Sequence, residues 1–284
     1  MRVWSLTQSR AEYNAAAAAA QRQNGWMAEL FRMWRNTRMV VLTAICAALY
    51  AAILIPFKVV PLIPGITEFR PANAVPVVCS FLFGPAAAWG SAFGNLIGDF
   101  FGGLGPGDLF GFVANLLYGL VPYLVWEALT DAPPVPRSPG TWVALLGVIA
   151  VAAALCAAVV GWGLQALGFH PFTVLGTLVL LNNLVVASIL APFLLVVLHP
   201  RICRARLLYR DLLGPRPRLP PWRSWLGIAL VVLGTGSAFL AGELIAGGRW
   251  LAPWALHRTP TGSFEVGVGL LPFLGMAVAG LAIL

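Results

Sequence analysis

Residues 71–100 read PANAVPVVCSFLFGPAAAWGSAFGNLIGDF, and from Pro71 through Gly98 none is charged. As one helix, 71–98 would run about 42 Å at about 1.5 Å per residue, well beyond a hydrocarbon core of about 30 Å. The pair Gly84-Pro85 offers a break, because proline opens a helix far more readily than it continues one. Two short spans are expected, about 66–83 and 86–101, tilted or sheltered inside a bundle.

Charge parity supports two spans here. Lys and Arg cluster at 2–38 and 201–223, and such clusters mark the cytoplasmic flanks of membrane proteins. If both face the cytoplasm, an even number of crossings separates them. The apolar blocks 39–56, 109–129, 141–167 and 172–198 supply four, so 71–101 adds two or none. Two further blocks, 225–247 and about 263–284, follow an Arg- and Pro-rich stretch. Fourteen basic residues then fall inside (six in 1–38, Arg137, seven in 201–223) and four outside (Lys58, Arg70, Arg249, Arg258). Both termini are expected in the cytoplasm.

The composition agrees: 60% of the 284 residues are hydrophobic and 10% charged, against about 25% charged in an ordinary soluble domain. Mean hydropathy is +0.85. A soluble globule, a disordered chain and a disulfide scaffold are excluded, and the net charge of +8 reads as topology rather than nucleic-acid binding. The expected fold is all-α, a polytopic membrane helix bundle with a six-helix core and a C-terminal two-helix hairpin. Its parts are a basic N-terminal segment (1–38), partly helical and able to rest on the bilayer surface, the six-helix unit (39–198), a basic linker (199–224) and the hairpin (225–284).

Motifs for chemistry are scarce. Cys46, Cys79, Cys156 and Cys203 form no CxxC pair, and His170, His199 and His257 are scattered. No metal site, catalytic residue or cofactor is expected. There is no phosphate-cradling loop, dinucleotide fingerprint or nucleophile elbow, so the chain carries no ATPase motif of its own.

Small residues form two ridges. Ala44, Ala48 and Ala52 recur every fourth residue of the first span, beside Ala47 and Ala51. Such a groove admits a second helix, either inside the bundle or from another protein. In the third span Gly90, Gly94, Gly98 and Gly102 repeat at the same interval, the signature of close helix packing.

Asn95 and Asp99 share one face of that span. A carboxylate within a membrane needs water, a partner or a ligand, so Asp99 either caps the glycine-rich loop 102–108 or reaches a substrate. Glu68 and Arg70 flank the first outer loop and can pair with each other or read substrate charge. By depth, Asn115, Gln165 and Asn182 can either glue helices or line an outward-facing pocket. Asp108 reads as the N-cap of the fourth span, and Glu127 as an interface residue at its cytoplasmic end.

Phe69-Arg-Pro-Ala-Asn-Ala-Val-Pro, the Leu82-Phe83-Gly84-Pro85 break and Gly94-Asn-Leu-Ile-Gly-Asp together resemble the substrate-binding S components of energy-coupling factor transporters, over residues 39–198. The resemblance implies a membrane-embedded capture subunit for a vitamin or related micronutrient. It implies that loop 57–70 closes over substrate. It further implies that Ala44, Ala48 and Ala52 dock on a transmembrane coupling protein driven by two cytoplasmic ATPases. The long N-terminal segment and the C-terminal hairpin depart from the usual six-helix core. The expected protein is a multi-pass subunit of a bacterial inner-membrane importer, its substrate contacts drawn from Glu68, Arg70, Asn95, Asp99, Asn115, Gln165 and Asn182. The rivals are an autonomous secondary transporter, a membrane-embedded lipid-modifying enzyme using Asp99, and an assembly subunit.

Overall fold

Gly84 has φ of +52°, a left-handed backbone that glycine adopts without strain, and its N–H closes the preceding helix on Ser80 O at 2.9 Å. Pro85 then starts the next helix. Space demands glycine as well, since a Cβ at Gly84 would lie 2.8 Å from Tyr209 Cγ.

The computed structural model describes residues 25–57, 61–63, 67–68, 70–214, 216, 219–255 and 263–284. Helix α1 (Trp26–Arg32) leads through a 3-10 turn (Met33–Arg35) into α2 (Thr37–Phe57). The Asn36 side chain caps α2, accepting the N–H groups of Arg38 at 3.0 Å and Met39 at 3.4 Å. A short antiparallel hairpin follows, β1 (Pro61–Ile63) with β2 (Thr67–Glu68), pairing Pro61 with Glu68 and Ile63 with Thr67. A 3-10 turn (Pro71–Asn73) opens α3 (Ala74–Phe83), which is followed by α4 (Pro85–Phe100), α5 (Asp108–Leu129), α6 (Pro139–Ala166) and α7 (Phe172–Arg204). In the basic linker lies α8 (Tyr209–Leu213). The C-terminal pair is α9 (Pro221–Ala246) and a second arm broken at Leu270 into α10 (Ser263–Gly269) and α11 (Leu271–Ile283). Expectations for residues 1–24, Lys58, Arg258 and the Glu68 side chain lie outside the described residues.

Six stretches among the described residues are long and apolar enough to cross a membrane, and α3 and α4 add two shorter helices. Neighbours along the chain pack in sequence: α4 lies between α2 and α5, α5 against α6, and α6 against α7. Helix α3 is the short middle piece, touching α2, α4, α5 and α7 and buried over almost its whole length. Helices α9 and α11 pack on each other, and α9 reaches the six-helix unit chiefly through α6. Large side chains such as Val143, Ile189 and Phe193 point outward at 73%, 55% and 68% exposure, a surface suited to lipid rather than water.

Local chemistry explains the boundaries. Ser138 and Thr141 form a reciprocal capping box ahead of Pro139 at the first position of α6. Pro122 lies inside α5 without ending it, and the next amide, Tyr123 N–H, donates to Ser80 Oγ of α3 at 3.1 Å. Helix α7 continues through Pro200 to Arg204, six residues into the expected linker.

The glycine ridge packs against α2. A Cβ at Gly90 would fall 2.4 Å from Cys46 Cβ, at Gly94 2.8 Å from Tyr50 Cβ and at Gly98 2.4 Å from a Leu54 methyl. Gly102 is not part of the ridge, because α4 ends at Phe100. The two alanine sets part company: Ala47 and Ala51 are buried, whereas Ala44, Ala48 and Ala52 lie exposed on the outer face of α2.

Candidate functional site

At the end of the bundle opposite the arginine-rich linker, the helices leave a cavity of about 300 Å³. Its walls come from both halves of the six-helix unit. Tyr50 of α2, Arg70, Asn73, Asn95 and Asp99 of α4, Gly111 and Asn115 of α5, Cys156 of α6, and Asn182 and Asn183 of α7 all line it. Phe169, His170 and the glycine loop 103–107 lie nearer the mouth.

The floor is a connected amide network. The Tyr50 hydroxyl lies 3.0 Å from Asn73 Oδ1 and 3.1 Å from Asn115 Oδ1, a shared donation. Asn73 Nδ2 donates to Asn183 Oδ1, Asn115 Nδ2 to Gly111 O at 2.9 Å, and the Tyr118 hydroxyl to Asn183 O at 3.4 Å. Tyr50, Asn73, Asn115 and Asn183 are all buried, so this polar floor is held by its own members, as a low-dielectric setting requires.

The wall on α4 is different. Asn95 Nδ2 donates to Asp99 Oδ2 one helical turn on, yet Asn95 Oδ1 is buried without a hydrogen-bond partner. An unpaired buried carbonyl costs about 1–3 kcal/mol, so the wall presents an acceptor ready for a donor. Opposite it, a Cβ on Gly111 would lie 3.1 Å from Asn95 Nδ2 and 3.7 Å from Asp99 Oδ2. Glycine there leaves these polar groups room.

The expected contacts divide. Arg70, Asn95, Asp99, Asn115 and Asn182 line this one cavity. Gln165 is not among the lining residues: its Oε1 accepts the Phe172 N–H at the start of α7, making it a cap for the α6–α7 turn. Asp108 is the first residue of α5 rather than its cap, and its Oδ2 accepts the Gly105 N–H at 2.7 Å, tightening the loop before it. Tyr50, Asn73 and Asn183 stand among the lining residues beyond those singled out as contacts. Asn73 was legible as a polar residue in an apolar run, whereas a tyrosine on an apolar helix reads as packing.

Glu127 is corrected too. It is no free interface residue: its carboxylate, 13% exposed, accepts from the Tyr209 hydroxyl at 2.7 Å and Arg210 Nε at 3.0 Å, and lies 3.3 Å from Arg216 Nη1. Arg216 also pairs with Glu29 of α1 and sits over the Tyr123 ring at 5.2 Å. Burial pushes its guanidinium down to about 10, still a cation at neutral pH. This cluster ties α1 and the basic linker to the end of α5.

Among the described residues no group of three or more His, Cys, Asp or Glu is placed to hold a metal. A polytopic bundle with a small amide-lined chamber open at one end has the architecture of a membrane protein that carries a small molecule. The family model described as QueT transporter matches residues 40–200, more than half of the chain. The chain therefore belongs to the QueT transporter family, whose members are S components of energy-coupling factor transporters and not enzymes. Comparison with curated proteins and with solved structures gives no match.

Proposed function

We propose that this chain captures a queuosine precursor, a nucleobase-like heterocycle, and delivers it inward as one subunit of an importer. The observation that carries the reading is the α4 wall: a buried, unpartnered Asn95 carbonyl beside the Asp99 carboxylate, facing a floor of three more asparagines. A flat heterocycle rich in N–H groups has the complementary edge, and a chamber of about 300 Å³ is at the small end of ligand sites. Asn95 and Asp99 accept from the base, Asn182 reads its far edge, and Arg70 acts at the mouth.

Substrate enters at the loop 57–70 end, which closes as a lid. The basic end faces the cytoplasm of a bacterial inner membrane, with both termini inside, as the basic residues clustered at that end support. Residues 39–198 are the transport unit, with the N-terminal segment, linker and hairpin as additions. Ala44, Ala48 and Ala52 form the docking face for a transmembrane coupling protein, and two cytoplasmic ATPases supply the energy that turns the loaded bundle.

The test is calorimetry of the purified full chain with a queuosine precursor, followed by uptake in vesicles with and without the ATPases. Saturable binding and ATP-dependent uptake are expected. No binding overturns the substrate, and gradient-driven uptake by the chain alone makes it a secondary transporter.

A further inference from the structure

The C-terminal hairpin lies outside the region matched by the family model, 40–200, yet it grips the part of the bundle that forms one side of the cavity. That side is the α6–α7 turn and its flanks: Val160, Leu164, Phe169, His170, Leu175 and Val179 all line the chamber. The turn is held internally by Gly168 N–H on Gln165 O at 2.8 Å and Phe169 N–H on Leu164 O at 2.9 Å.

Immediately after the turn, Phe172 is fully buried in a socket built by glycines of three helices. A Cβ would come within 2.8 Å of its ring at Gly161 of α6, 3.1 Å at Gly176 of α7 and 2.5 Å at Gly242 of α9. Phe239 of α9 packs on the same ring with centroids 5.5 Å apart. At Gly161 and Gly242 such close approach leaves no room for a side chain, and at Gly176 a Cβ would be tight, so the ring fixes α7 against both the core and the hairpin.

Two polar contacts flank the socket. Thr177 Oγ1 of α7 donates to Glu243 Oε1 of α9 at 2.7 Å, and Trp162 Nε1 of α6 donates to Gly267 O of α10 at 2.7 Å. A carboxylate on a membrane helix is costly without a use. Thr177 is two residues from both Leu175 and Val179, so one side of α7 meets the hairpin while the other faces the chamber.

We propose that the hairpin braces a wall of the substrate site without lining it: α9 and α10 clamp the α6–α7 turn from outside, Phe172 is the wedge, and Glu243 is a positioning residue acting on the cavity through Thr177. The proposal rests on reading the chamber as the substrate site, so its test has a ligand-free arm. In the purified full chain, Glu243→Ala and Thr177→Val should each speed amide exchange across residues 164–173 by about fivefold, the effect of losing one hydrogen bond. Exchange in α3 should stay unchanged. Affinity for a queuosine precursor should fall by about the same factor, the double variant should be no worse than either single one, and Glu243→Gln, which keeps an acceptor oxygen, should restore both readouts. Wild-type exchange across 164–173 in both variants overturns the clamp whatever the affinity does. Faster exchange in a protein whose wild type binds no queuosine precursor supports the clamp and overturns the substrate reading. Should Glu243→Ala fail to accumulate, Thr177→Val, which keeps nearly the same shape, carries the test.

Discussion

Asp99 and Asn95 have an asymmetry that the floor of the chamber lacks: the floor amides satisfy one another, while the α4 pair leaves an acceptor over. Replacing Asp99 by Asn keeps the shape but turns a charged acceptor into a half-donor. Asp99→Asn is expected to weaken binding of a queuosine precursor by about tenfold or more, the worth of a charge-assisted bond, with little change in membrane expression. Equal affinity in calorimetry would remove Asp99 from the site. Gly84 sets a second expectation, about stability. Gly84→Ala adds a positive-φ backbone penalty of about 1–3 kcal/mol to a collision with the Tyr209 ring at 2.8 Å. Thermal unfolding should show a lower Tm, and Tyr209→Ala in the same chain should relieve the collision but not the backbone penalty.

Helix α2 serves two neighbours with two kinds of alanine. Ala47, inside, lies against the glycine ridge, with its carbonyl 2.9 Å from where a Gly94 Cβ would stand. A bulky residue at Gly94 therefore meets backbone, and Gly94→Leu is expected to abolish accumulation of folded protein, measured by gel filtration in detergent. Ala48, outside, is exposed. Ala48→Trp should leave substrate binding intact while ATP-dependent uptake falls to background; normal uptake would remove this face from partner docking. The spacing of four made both ridges readable in the sequence, and the charge-free run with Gly84-Pro85 made the α3–α4 break readable. Which alanine faced which neighbour was not readable, because α2 is apolar all round beyond its first turn and periodicity there carries no inside or outside. The same limit hid Gln165: its depth was right for a pocket, but its partner is an amide that only the α6–α7 turn brings near. Glu127 was misread because Tyr209 and Arg210 stand 82 and 83 residues on.

The bundle carries its buried ionic cluster at one end and its amide chamber at the other, with additions to the six-helix unit touching both. Removing Glu127 takes away the acceptor of Tyr209 and Arg210 and leaves Arg216 paired with Glu29 alone, so Glu127→Ala should lower stability by about 1–3 kcal/mol and free the linker, read as faster proteolysis between residues 205 and 220. Topology is testable through one side chain: Cys203 is exposed, whereas Cys46, Cys79 and Cys156 are buried. An impermeant maleimide should label Cys203 in inverted membrane vesicles and not in right-side-out ones; the reverse would turn the molecule over. Helix α3 has a consequence for how the protein is made. Ten residues give about 15 Å of helix, half the hydrocarbon thickness of about 30 Å, so a nascent α3 has no stable resting place in lipid alone. Two of the four helices that enclose it, α5 and α7, are synthesised later. Residues 71–83 are therefore expected to settle at their final depth only after 108–204 have left the ribosome.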